Sequence, residues 1–200
     1  SLKLANGRLD VDPLTFRENA GRFDAGLLFA PHESGYALDA NLQVDNVRLG
    51  ILGSAQQERD LLPPLNGVVR LSGSGASVHE IMAGAEGNIS LRHGSGQIRD
   101  FSGRLFGDLL LEVLRTLNPL RSGSDTRQLD CAIYEVAIEA GVAEIQELAL
   151  QTNALTMIGS GRIDFDTEKL DINVRAKPRE GIGLSIGSLA NSFLKVGGSL

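Results

Sequence analysis

Three histidines, a single cysteine and a few closely spaced carboxylates are the residues of this chain with the most capacity for chemistry. His32, His79 and His93 lie in separate turn-like contexts, and none has another His or a Cys at metal-ligand spacing. His79-Glu80 begins as the helix of a zinc protease begins, but Ala83 stands where the second His is required. Histidines so placed read as surface residues. Cys131 can close no internal disulfide and no Cys-rich metal site, and within "DCAIYEVAIEA" it reads as a buried strand thiol that packs as a small hydrophobe. Asp164 and Asp166, on one side of a strand, have the spacing for acid chemistry or for calcium. They fall at the mouth of the turn "DFDTEKLD", however, where carboxylates are ordinarily solvated. "GSGAS", "GSGQI" and "GSGRI" contain neither phosphate-loop pattern, and Ser-Gly pairs at strand ends are ordinary turn chemistry. No enzyme, no cofactor and no metal site emerges, so the residues point to a binder, a conduit or a scaffold.

The elements that would position such a surface are strands. Hydrophobic residues make up 42% of the 200 residues but aromatics only 4%, and there are 24 glycines, so the apolar content is aliphatic and suits pleated surfaces with many turns. The net charge is -6 and the 19 basic residues are scattered, which excludes a nucleic-acid footprint. No apolar run approaches the roughly 18 residues that span a bilayer, and no signal peptide is present. The chain opens and closes in the middle of strand patterns and reads as a piece of a longer protein.

Residues 1 to 49 read as strands and turns. "LKLANGRLDV" turns at Gly7, "GRFDAGLLFA" sets Phe23, Ala25, Leu27 and Phe29 on one face, and "YALDANLQV" alternates strictly. "SAQQERDLLPPLNG" breaks the pattern, because Pro63-Pro64 cannot sit in a central strand. "GVVRLSGSGA" and "EGNISLRHGSGQI" are further strands around "SVHEIMAG", where Ser77 can cap a short helix. Phe106, Leu109, Leu110, Val113 and Leu117 recur at helical spacing and predict the main helix over about 102–117, where Gly103 and Gly107 would allow close packing on a strand. "CAIYEVAIEAG", "AEIQELALQT", "LTMIGSGRIDF" and "KLDINVRAKP" form a four-stranded meander, and "IGSLANSFLKV" is a further short helix.

The landmarks "LNGVVRLSGSGASVHEIMAGAEGNISLRHGSGQIRD", "LFGDLLLEVLRTLNP", "LDCAIYEVAIEAGVAEIQELALQTNALTMIGSGRIDFDTEKLDINVRAKP" and "KVGGSL" run in the order found in the C-terminal domain of the AsmA-like family. The resemblance covers about residues 66–200, and "GSGRIDFDTEKLDINV" is its most similar stretch. Residues 1–50 resemble the β-rich repeats that precede that domain, joined to it by a linker or short inserted helix at 51–65. The resemblance implies a protein of the Gram-negative envelope, anchored in the inner membrane by a segment outside this sequence, with its bulk in the periplasm. It also implies a mainly β fold: a long curved antiparallel sheet forming an open apolar groove that carries phospholipid, or another acyl-chain ligand, between the membranes. Alternation then nominates Leu42, Val44, Val136, Ile138, Ile172 and Val174 as groove residues. The alternative is an assembly scaffold for outer-membrane biogenesis, its apolar faces closed by envelope protein partners and carrying no lipid.

Overall fold

The computed structural model describes residues 1–18, 20–33, 35–48, 60–98, 127–153, 155–179 and 193–199. The main helix expected over 102–117 and most of the linker at 51–65 lie outside these residues. The described residues form twelve strands and one short helix. The strands are β1 (Leu2–Ala5), β2 (Arg8–Glu18), β3 (Gly21–His32), β4 (Gly35–Val47), β5 (Leu65–Gly75), β6 (Glu86–His93), β7 (Gly96–Ile98), β8 (Arg127–Glu139), β9 (Val142–Thr152), β10 (Leu155–Asp164), β11 (Lys169–Pro178) and β12 (Phe193–Ser199). The helix, α1, is Val78–Ala83.

All twelve strands belong to one antiparallel sheet in the order β1-β2-β3-β4-β5-β6-β8-β9-β10-β11-β12, with β7 beside the first part of β8 and in line with β6. The strands follow one another as a meander, β1 and β12 do not pair, and the sheet is therefore open rather than a barrel. The four strands of the expected meander are β8 to β11. At the C-terminus the sequence reading is corrected. Residues 193–196 of the expected helix "IGSLANSFLKV" are strand, because β11 offers a free backbone edge and β12 completes its ladder from Arg175↔Phe193 to Lys169↔Ser199.

One rule explains the irregularities of this sheet: the longest apolar row of each strand must end on the same side. Because side chains alternate, one extra residue moves all later ones to the opposite face. In β2 the apolar phase slips from Leu9 and Val11 to Leu14 and Phe16, and the ladder carries a bulge between Val11 and Leu14. In β4 it slips from Val44 to Val47, again with a bulge. There Asn46 takes positive φ, and its backbone N–H donates to Asn66 Oδ1 at 2.8 Å. β8 does the same between Leu129 and Cys131, and β9 between Ile145 and Leu148. Each bulge corrects a slip that would otherwise turn half a strand inside out.

The glycine pairs that imitate phosphate loops have a packing role. Ser77 caps α1 by accepting from the Glu80 N–H at 3.2 Å, as its sequence predicts, and Glu80 Oε2 in turn accepts from the Ala76 N–H at 2.9 Å. The helix lies over β5, where a Cβ on Gly73 would meet the Ile81 carbonyl oxygen at 2.5 Å and one on Gly75 would meet Glu80 Cβ at 2.5 Å. Only glycine lets the helix sit that close. Gly94 and Gly96 lie in the same way against Pro64 and Pro63, and Gly159 lies beneath the Leu148 side chain.

We therefore expect Gly73→Val to destabilise the protein by about 2 kcal/mol, in the range of an overpacked core site, as a lowered denaturant midpoint. Gly198→Val, whose Cβ would meet nothing within 4 Å, is expected to leave that midpoint nearly unchanged.

Candidate functional site

The register turns the strand alternation into two very different faces. On one side lie Leu2 and Leu4, then Leu9, Val11, Leu14 and Phe16, and then Phe23, Ala25, Leu27 and Phe29. The same face continues through Leu38, Ala40, Leu42 and Val44, through Val69, Leu71, Ile89 and Leu91, and through Val136, Ile138, Ile145, Leu148 and Leu150 to Met157, Ile163, Leu170, Ile172 and Val174. Among the described side chains of this face none carries a fixed charge, and Tyr36, His93, Tyr134 and Thr152 are its polar members. The longer strands have 10 to 13 residues. They are therefore about 33–43 Å long, and eleven positions side by side extend about 50 Å. In projection the face covers on the order of 1,500 Å², against about 300–600 Å² for the largest apolar patch of an ordinary monomer. Among the described elements, α1 is the one that packs upon it.

Burial is not even across this surface. Val44, Val47 and Leu65 form one buried cluster, and Leu129, Ala132, Leu150, Met157 and Val174 a second. Both lie toward the strand ends where the long connections enter and leave. Ala85, Ile138 and Ala143 form a third at the opposite ends, with Leu71, Met82 and Phe165 packed against them. Between them runs a half-buried midline, Leu42–Val69–Ile89–Val136–Ile145, which the register continues through Gly161 to Ile172. Toward β1 the face is most open: Leu2, Leu4, Leu14 and Phe16 are more than half exposed.

All six groove residues nominated from the sequence stand on this face. Leu42, Val136 and Ile172 belong to one transverse row along the half-buried midline, Val44 and Val174 share the next row and are buried, and Ile138 is buried on the other side of the midline.

The opposite face holds the charges. Arg22 and Asp24 pair at 2.5 Å, a contact that raises the arginine pKa and holds the aspartate below its usual value, and Thr15 donates to the same carboxylate. Arg92 pairs with Glu135 at 3.2 Å, and the Ser90 hydroxyl donates to Glu135 at 2.9 Å. Cys131 is also on this side. It is half-buried, not buried as the sequence suggested, because alternation puts it with Ile133 and Glu135 on the face opposite Val136, where it pairs with Gln151.

The remaining candidates resolve plainly. Asp164 Oδ1 accepts from the Thr167 N–H at 2.9 Å, which lowers its pKa and makes it a turn former. Asp166 is exposed in the same turn. His79 Nε2 lies 3.2 Å from the Asp166 carbonyl oxygen and 3.9 Å from Glu168, tying α1 to that turn. Among the described residues no group of three or more potential ligands could hold a metal, and no helix is long and apolar enough to cross a membrane.

His93 departs from the surface role expected of it. It stands on the apolar face between Leu65 and Ala132, half-buried, edge to face with Tyr134 at 6.3 Å between ring centroids. Its phase gives it away in retrospect: Ile89, Leu91 and His93 are alternate residues of one strand. Burial lowers the His93 pKa and raises that of Tyr134.

No family model and no solved structure matches the chain. Among curated proteins it is 26% identical over 172 residues to the AsmA family protein YhjG of Escherichia coli (strain K12). The similarity covers 86% of this chain and 25% of that protein, so the chain spans a quarter of the length of this relative. It supports the AsmA-like family resemblance read from the sequence.

Because the folded state lowers the His93 pKa below the ordinary histidine value of 6.5, the unfolded chain takes up that proton first as pH falls. The His93 contribution to stability is intact above about 6.5 and diminishes below it, down to the folded pKa. Urea midpoints measured from pH 7.5 to 5 are therefore expected to fall less steeply for His93→Phe than for the parent chain.

Proposed function

We propose that this AsmA-like chain binds acyl-chain lipid, phospholipid in particular, on the apolar face of its sheet, as one module of a longer protein of the Gram-negative envelope. In this reading an inner-membrane anchor outside the sequence holds the protein, its bulk stands in the periplasm, and lipid passes along the sheet between inner and outer membranes. The single observation that carries it is the apolar face, whose described side chains carry no fixed charge, with a half-buried midline crossing the strands from Leu42 to Ile172. A lipid leaving a bilayer gives up about 0.8 kcal/mol for every methylene left in water, so a receiving surface must be apolar without interruption. The similarity to an AsmA family protein supports the same reading.

A scaffold for outer-membrane biogenesis is the second reading. It is favoured by the exposure of Leu2, Leu4, Leu14 and Phe16 on the apolar face, a surface that a protein partner would cover.

Glutamate substitutions separate the two. At Val136 and Ile172, on the half-buried midline, the carboxylate can reach water. These variants are expected to melt within a few degrees of the parent and to lose binding of a fluorescent phospholipid. At Ile138 and Val174, both buried, the same change should cost about 3 kcal/mol or more and unfold the sheet. Loss of the melt in all four would favour the scaffold, and native mass spectrometry of the protein purified from cells would show whether lipid accompanies it.

A further inference from the structure

The apolar face has one buried polar atom whose hydrogen bond is missing. His93 Nδ1 is inaccessible to water and has no partner, the only such side-chain atom among the described residues. The Pro63 backbone is a partner of the same imidazole, and with the ring proton turned to it on Nε2 the Nδ1 would present a bare lone pair. An acceptor left unmade in an apolar setting costs about 1–3 kcal/mol, and such groups are rare in folded proteins. Among the described residues no donor reaches it: Leu65 and Ala132 flank it in the register, and Tyr134 touches it edge to face. Tyr134 is itself half-buried and sits one row closer to the midline, between it and the imidazole.

We propose, resting on the lipid reading above, that His93 is a polar anchor in the groove: its Nδ1 accepts a hydrogen bond from a hydroxyl or N–H of the polar head of a bound amphiphile, which enters by displacing the Tyr134 ring. The face would then do more than hold alkyl chain. It would prefer amphiphiles whose polar head carries a hydrogen-bond donor over those whose head carries none, and it would fix where along the face the head rests. His93 acts here as a specificity residue for binding, and alkyl contact with the midline supplies the rest of the affinity.

The test uses the whole chain loaded with a fluorescent fatty-acyl probe, displaced by 1-dodecanol or by dodecyl methyl ether, two ligands with the same alkyl chain. One neutral hydrogen bond of about 1–1.4 kcal/mol corresponds to a preference for the alcohol of about five- to tenfold. His93→Phe should abolish that preference while leaving displacement by the ether unchanged. In the parent chain with ¹⁵N-labelled histidine, dodecanol should shift the Nδ1 resonance of His93 and the ether should not, a readout that does not depend on the variant folding. The chain has no Trp and two Tyr, so in Tyr36→Phe the tyrosine fluorescence reports Tyr134 alone and should change on binding the alcohol. Equal displacement by both ligands, or an unmoved Nδ1 resonance, would overturn the anchor and leave the lipid reading standing. Displacement by neither would overturn both.

Discussion

Everything in this structure depends on keeping aliphatic side chains on one side of a very wide sheet. An antiparallel strand alternates strictly, so a single unmatched residue would send leucines to the charged side and carboxylates to the dry side. Four of the long strands contain such a residue, and each has a bulge at the slip. Bulges interrupt the backbone ladder locally, and their recurrence shows that a continuous apolar face outweighs that cost. The Asn66 side chain, which receives the Asn46 N–H, offsets part of it in β4.

A sheet arranged in this way has an apolar surface too large for one short helix. α1 reaches its place because Gly73 and Gly75 remove the side chains beneath it, and with Ala85, Ile138 and Ala143 it closes one corner. Two further buried clusters close the opposite strand ends. The half-buried stripe between them is where side chains are held by neighbours in the sheet and still have a free side, which is the condition for a pre-formed surface that receives a flexible apolar chain. The charges complete the division: Arg22 with Asp24 and Arg92 with Glu135 pair on the other face, where water screens them, and the described apolar side carries none.

Within this division His93 is the exception that gives the face a direction. Its position follows from β6 pairing with β8, yet its chemistry does not follow from the hydrophobic pattern, since an aliphatic residue there would satisfy the packing without leaving an acceptor unmade. Local rules that break in an otherwise consistent structure are where function concentrates. Tyr134, the ring that touches His93, is the other polar group in the same part of the face.

The sequence alone determined the strands and the inventory of the face. Period-two alternation grouped Leu42, Val44, Val136, Ile138, Ile172 and Val174, which the register sets on one face, and Ser77 announced its helix, because both signals are local: a side chain's phase along its own strand and a cap's hydrogen bond within one turn. The meander was legible for the same reason, since its turns follow one another at short range. The start of the last strand was not: the closing "KVGGSL" reads as a strand, but residues 193–196 also fit a helical pattern and became strand where the edge of β11 supplied partners. Nor did the strand pattern distinguish Val174, buried at a strand end, from Ile172, half-buried on the midline, since both are aliphatic residues of the same phase. The faces of Cys131 and His93 follow from strand phase, but their half-burial depends on what the neighbouring strands set beside them. Burial and partnership arise between strands distant in sequence, and only the tertiary structure decides which of them meet.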